Sequence, residues 1–145
     1  MKKKYKIGYT TGVFDLFHVE HLHILKQAKS MCDYLIVGVS TDELVEEYKG
    51  KTPVIPLEQR MEILSAIKYV DKVIPQTTLD KSVAWEQERF DVIFHGSDWN
   101  NSPLYNQNEL KLKPKGVEFV YFPYNRGLSS TIIKEKCNLQ ENEND

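Results

Sequence analysis

Tyr34-Leu35-Ile36-Val37-Gly38-Val39-Ser40 is apolar at nearly every position. A strand with one face in water alternates apolar and polar residues, whereas a strand covered by helices on both faces does not. This run therefore predicts a buried parallel strand. On its N-terminal side, Tyr5 to Thr11 reads as a first strand ended by Gly12, where an unusual backbone conformation is expected. Between them, Val19 to Met31 has helical spacing, with Leu22, Leu25 and Ala28 on the inner stripe. On its C-terminal side, Thr41 is placed to cap a helix, and Tyr48 to Pro56 forms a loop. A further helix would bury Met61, Leu64, Ile67 and Val70. Strands are predicted at Lys72 to Ile74, Asp91 to His95 and Val117 to Phe122, with a helix over Lys81 to Glu88.

Five strands alternating with helices specify an α/β fold, a Rossmann-like five-stranded parallel sheet with helices on both faces. Ligands of such sheets sit at the carboxyl ends of the strands, so chemistry is expected there. The 145 residues fit one domain, residues 1 to 137, and Asn138 to Asp145 reads as a disordered acidic tail. A formal charge of −2 lacks the basic excess that nucleic acid binding favours. No apolar run approaches the roughly 18 residues of a membrane span. Met1-Lys2-Lys3-Lys4-Tyr5 begins no apolar leader, so a cytoplasmic protein is expected. Cys32, which ends the helical stripe, and Cys137, near the end of a last short helix beginning at Ser129, lack metal-ligand spacing and read as buried or idle thiols.

The turn after the first strand, Thr11-Gly12-Val13-Phe14-Asp15-Leu16-Phe17-His18-Val19-Glu20-His21, joins a strand end to a helix N-terminus. Unpaired backbone N–H groups and the positive end of the helix make an anion site there. His18 and His21, three residues apart, can face the same side and donate to one phosphate. A bare H-x-x-H is more often a pair of surface histidines, and His23 reads as one. The Gly-Val-Phe-Asp ahead of the pair points to function instead. Zinc would need a third ligand, and no other His or Cys stands at a supporting spacing.

This stretch resembles the G-x-F-D-x-x-H-x-G-H signature of the cytidylyltransferase family, matching at Gly12, Phe14, Asp15, His18 and His21. Glu20 stands where the family has glycine. Further on, His95-Gly96-Ser97-Asp98-Trp99 is similar to the family's Gly-Asp-Asp-Trp. Tyr124-Asn125-Arg126-Gly127-Leu128-Ser129-Ser130-Thr131 is similar to its R-T-E-G-I-S-T-T.

The resemblance runs from Tyr5 to about Cys137 and implies a nucleotidyltransferase domain that moves CMP from CTP to a small phosphorylated alcohol such as glycerol 3-phosphate. It assigns catalysis to His18, His21 and Lys51. It assigns nucleotide binding to these three, to Thr11, Gly12, Val13, Phe14 and Asp15, to Gly96, Asp98 and Trp99, and to Tyr124, Asn125, Gly127, Ser129, Ser130 and Thr131. Lys49 and Arg60 would hold the acceptor, though Arg60 reads equally well as an exposed helix charge beside Glu58 and Glu62. Mg²⁺ accompanies CTP, with no protein ligand for it identified, and a homodimer is implied. ATP as donor, another acceptor, or a nucleotide-binding protein impaired by Glu20 are the alternatives.

Overall fold

The computed structural model describes residues 4–96 and 103–123, without the side chains at 104 and 105. Five strands, β1 (Tyr5–Gly12), β2 (Cys32–Ser40), β3 (Lys72–Gln76), β4 (Val92–Gly96) and β5 (Glu118–Phe122), form one sheet in the order β3-β2-β1-β4-β5. Every pairing is parallel. Among the described residues five α-helices connect them: α1 (Val19–Met31), α2 (Asp42–Lys49), α3 (Leu57–Ser65), α4 (Lys81–Glu88) and α5 (Pro103–Leu112).

Alternation along the strands builds two cores. Cys32, Leu35, Val37, Val39, Val92 and Phe94 face α1 and α3, meeting Leu25, Ala28 and Leu64. Tyr9, Ile36 and Ile93 face the other way, toward Leu112 of α5 and Ala84 and Trp85 of α4. A strand buried on both faces cannot alternate, which is why β2 is apolar throughout. Successive strands run outward from β1 in one direction to β3 and, beyond β1, in the other to β5. The order thus reverses between β1 and β4, and the crevice at that reversal opens at Gly12 and Gly96.

Three local expectations are corrected. Gly12 is not in the left-handed region; positive φ falls on Phe14 (55°) and Leu16 (51°) in the turn beyond it. Gly12 has another reason to lack a side chain, since a Cβ there would stand 3.0 Å from the Phe14 ring. Cys32 opens β2 rather than closing the helical stripe, and it is buried with Sγ against the Ala28 carbonyl. Finally, α3 ends at Ser65, so Ile67 and Val70, expected on its inner face, pack against the core from the chain beyond the helix. The acidic tail and the last helix lie outside the described residues.

Candidate active site

The β1–α1 turn is held from three directions. The buried Asp15 carboxylate accepts from the backbone N–H groups of Val54 (2.8 Å) and Ile55 (2.9 Å), tying the following loop to the turn. Arg60, 1% exposed, donates from Nε to Ile55 O and from Nη1 to both Val13 O and Ser40 O, each at 2.8 Å. Its Nη2 donates to Asp42 Oδ1 at 2.6 Å. Arg60 is thus a tie among the turn, β2, α2 and the loop. Its guanidinium is directed into the protein rather than onto the surface beside Glu58 and Glu62.

The histidines form the helix cap. His18 is the N-cap of α1, and its Nδ1 accepts from Glu20 N; His18 N in turn donates to His21 Nδ1, both at 3.2 Å. Their rings stack with centroids 4.0 Å apart, and Phe14 and Phe17 close around His21 at 5.4 and 5.3 Å. Burial drives the His21 pKa down to about 4, with the neighbouring His18 adding to the fall and Asp15 opposing it. His18 is also lowered, by burial first, against the charge of Glu20. Both rings are therefore neutral at pH 7. Because each Nδ1 accepts a backbone hydrogen bond, the ring proton belongs on Nε2, and each imidazole presents a donor there.

Glu20, in the family's glycine position, directs its carboxylate along the helix, with Oε1 3.8 Å from His23 Nδ1. Lys49 and Lys51 are exposed. Lys49 ends α2, its ammonium 5.7 Å from the centre of the Tyr48 ring, and Gly50 caps the helix at φ 74°. Lys51 is three residues from the anchored Val54, at most about 11 Å of extended chain, so the Asp15 tie limits its range. Thr11 is buried at the end of β1, and Gly96 ends β4 beside it. The Gly96 N–H donates to His95 Nδ1 at 3.1 Å. The expected residues Asp98, Trp99, Tyr124, Asn125, Gly127, Ser129, Ser130 and Thr131 lie outside the described residues. Among the described residues, no group of three or more His, Cys, Asp or Glu side chains could hold a metal ion.

Sequence reasoning missed the polar residues that close the strands on the α4/α5 side: Ser40, Gln76 and His95, with Lys81 of α4 among them. The signal was present, since Gln76 and His95 stand two positions, and Ser40 four, beyond the last inward hydrophobe of their strands.

This geometry agrees with comparisons to known proteins. A family model described as cytidylyltransferase-like matches residues 9–136. FAD synthase of Thermococcus sibiricus is 41% identical over 128 residues, 86% of this chain and 85% of that one. Glycerol-3-phosphate cytidylyltransferase of Bacillus subtilis is 37% identical over 134 residues, 88% of this chain and 93% of that one. Among solved structures, the lipopolysaccharide core biosynthesis protein of Thermoplasma volcanium superposes with a TM-score of 0.71 at 26% identity, covering 86% of this chain and 99% of that one. With the parallel sheet, the anion turn and the histidine cap in place, the chain belongs to the cytidylyltransferase-like family of nucleotidyltransferases.

Proposed function

We propose that this enzyme transfers CMP from CTP to a small phosphorylated alcohol of the glycerol 3-phosphate kind, working as a homodimer in the cytoplasm. The observation that carries the reading is the pair of neutral imidazoles with Nδ1 held by the helix cap and Nε2–H available at the strand reversal. In the reaction an acceptor phosphate oxygen forms a bond to the α-phosphorus, and the bond from that phosphorus to the oxygen bridging the β-phosphate breaks. Pyrophosphate leaves. A phosphomonoester has its second pKa near about 6 and is mostly dianionic at pH 7, so no general base is needed.

Catalysis then reduces to positioning and charge stabilisation. His18 and His21 donate to the phosphate oxygens as charge builds, and Lys51 brings a mobile cation over them. Gly12 lets the phosphates approach the turn backbone. Mg²⁺ enters with the triphosphate as part of the substrate complex. Gly96, Asp98 and Trp99 would shape the base pocket. The segment carrying Tyr124, Asn125, Gly127, Ser129, Ser130 and Thr131 would hold the remaining phosphates.

ATP as donor is the second reading, favoured by the similarity to FAD synthases, whose product carries an adenylate. Pyrophosphate release, measured with CTP and ATP against a panel of phosphorylated alcohols and FMN, separates the two donors. Turnover in none of these combinations sinks the proposal. His18→Gln and His21→Gln are each expected to lower kcat by about 100- to 1000-fold, the usual loss of one transition-state donor.

A further inference from the structure

On the α4/α5 side, four strands end in polar side chains. Thr11 follows Tyr9, Ser40 follows Ile36, Gln76 follows Ile74 and His95 follows Ile93, each an even number of residues beyond a member of that core. One polar group lies deeper. Tyr9 is buried in β1, its ring stacked on Phe90 with centroids 4.5 Å apart. Its hydroxyl stands over Gly38 of β2, where a Cβ would meet it, and among the described residues it has no hydrogen-bond partner. Burial, and then the charge of Glu88, raise its pKa above the ordinary phenol value, so at pH 7 the hydroxyl keeps its proton.

A buried hydroxyl without a partner forfeits the hydrogen bond it had in water, and phenylalanine would fill nearly the same volume without that loss. This hydroxyl adjoins open space. Between β3 and α4 lies a slot of about 300 Å³, at the small end of ligand sites. Among the described residues, its lining comes from β3, α4 and the turn joining them, with Tyr9 the exception. Tyr9 starts on β1 and β2 intervenes, so its hydroxyl end is the part that reaches the slot, across the gap that Gly38 leaves. The phenol thus closes the inner end.

Asp80, Val83, Ala84 and Gln87 share one face at α4, giving the slot a length of about 10 Å. Ile74, Val83 and Ala84 make apolar walls, while Thr77 and Thr78 at the carboxyl edge and Gln87 farther along supply neutral polar groups. The charged side chain in the lining, Asp80, is bound by Lys111 at 2.7 Å and by Ser82 at 2.6 Å. Such a lining favours an uncharged chain of carbons bearing hydroxyls over an anion. Thr11 stands two residues beyond Tyr9, about 7 Å along β1, so the inner end is within a short chain's length of the edge where ligands bind.

We propose that Tyr9 is a specificity-determining residue whose hydroxyl binds a hydroxyl of the polyol chain that carries the acceptor's phosphate. The inference rests on the reading of the chain as a nucleotidyltransferase with a phosphorylated acceptor, and it narrows that acceptor to linear polyol phosphates. Glycerol 3-phosphate and the ribityl phosphate of FMN both belong to this class. The phosphate stays at the carboxyl edge, and the chain enters the slot past Thr77 and Thr78. An acceptor without hydroxyls leaves the phenol unpaired, which is the source of the discrimination.

The test uses the full chain labelled with ¹³C at tyrosine Cζ, whose shift reports hydrogen bonding at the hydroxyl, the Tyr9 signal being assigned by its loss in Tyr9→Phe. Glycerol 3-phosphate or FMN is expected to move that signal, and the one that does identifies the chain length; inorganic phosphate and propyl phosphate are expected to leave it in place. In kinetics, Tyr9→Phe is expected to raise the KM of that acceptor about fivefold or more, the loss of one neutral hydrogen bond, and to leave the nucleotide KM within twofold. Its unfolding temperature should equal or exceed that of the unmodified chain. A signal moved by neither polyol phosphate, or moved equally by inorganic phosphate, overturns the proposal. So does an unchanged acceptor KM, or a lower unfolding temperature, which would show the hydroxyl already satisfied within the fold. If the unmodified chain releases no pyrophosphate with any donor and acceptor, the functional reading fails, and the polyol phosphate titration still decides Tyr9.

Discussion

On the α1/α3 side of the carboxyl edge, Arg60 is buried with its guanidinium against one carboxylate and three carbonyl oxygens, while on the α4/α5 side Lys81 is buried with its amine on a glutamine. The first arrangement is a tie: the guanidinium spends its donors on four segments of the chain. In the second, the charge is adjustable near neutrality, because desolvation dominates. Equal burial therefore does not mean equal role. What distinguishes the two cations is what surrounds them.

The sharpest way to break that contrast is to remove both cations. Arg60→Met leaves Asp42 and the carbonyls of Val13, Ser40 and Ile55 without their donor, and a loss of about 3–5 kcal/mol is expected. Lys81→Met removes a desolvated amine and is expected to leave stability at pH 7 unchanged or higher. Urea unfolding of both variants gives the answer; equal losses would show that the two cations play the same structural part.

Asp15→Asn is the next largest. It keeps the shape but replaces one acceptor oxygen of the tie to Val54 and Ile55 with a donor, costing about 1–3 kcal/mol by chemical denaturation. Because Lys51 is on the tied loop, kcat should fall as well, whereas a normal kcat would mean that the loop needs no anchor.

Titration separates the two sides without mutating the clamp. His21 has a folded pKa near 4, below the ordinary 6.5, so between these values the unfolded chain binds more protons and stability falls as pH drops through the window. Lys81 does the same between about 7 and 10.5: its folded pKa is depressed, so stability rises with pH across that range. Unfolding midpoints measured from pH 4 to 10 should show a shallower lower slope in His21→Gln, the remainder coming from His18 and His95, whose pKa values are also depressed, and should lose the upper slope in Lys81→Met. A slope left unchanged by its substitution assigns that window to another group.

How much of this was legible in sequence follows from the range of each interaction. The strand Tyr34 to Ser40 and the helix Val19 to Met31 are local patterns, and both appear where periodicity put them, β2 beginning two residues earlier at Cys32. The histidine cap is also local, three residues of chain, and the motif exposed it. Arg60 was read two ways, and neither reached Val13, 47 residues away, or Ser40, 20 away, since no short-range spacing encodes such contacts. The polar layer around Lys81 escaped for the same reason. It is assembled from the ends of four strands, and only the sheet order brings them together.

The smallest effect is expected at Glu20, although in sequence it looked the most disruptive. A carboxylate about 4 Å from a bound phosphate would repel it by about 4 kcal/mol at an effective dielectric near 20, roughly a thousandfold in affinity. The structure instead directs Glu20 toward His23 along α1, while its backbone N–H serves the His18 cap. A glutamate in the first helical turn gains about 0.3–1 kcal/mol from the helix end, which partly offsets any residual repulsion. Glu20→Gln and Glu20→Gly should therefore change the nucleotide KM by less than about threefold, with the glycine variant slightly less stable. A gain of a hundredfold or more in turnover in Glu20→Gly would reverse this assignment, placing the carboxylate against the phosphates and making the unmodified chain a nucleotide binder with impaired catalysis.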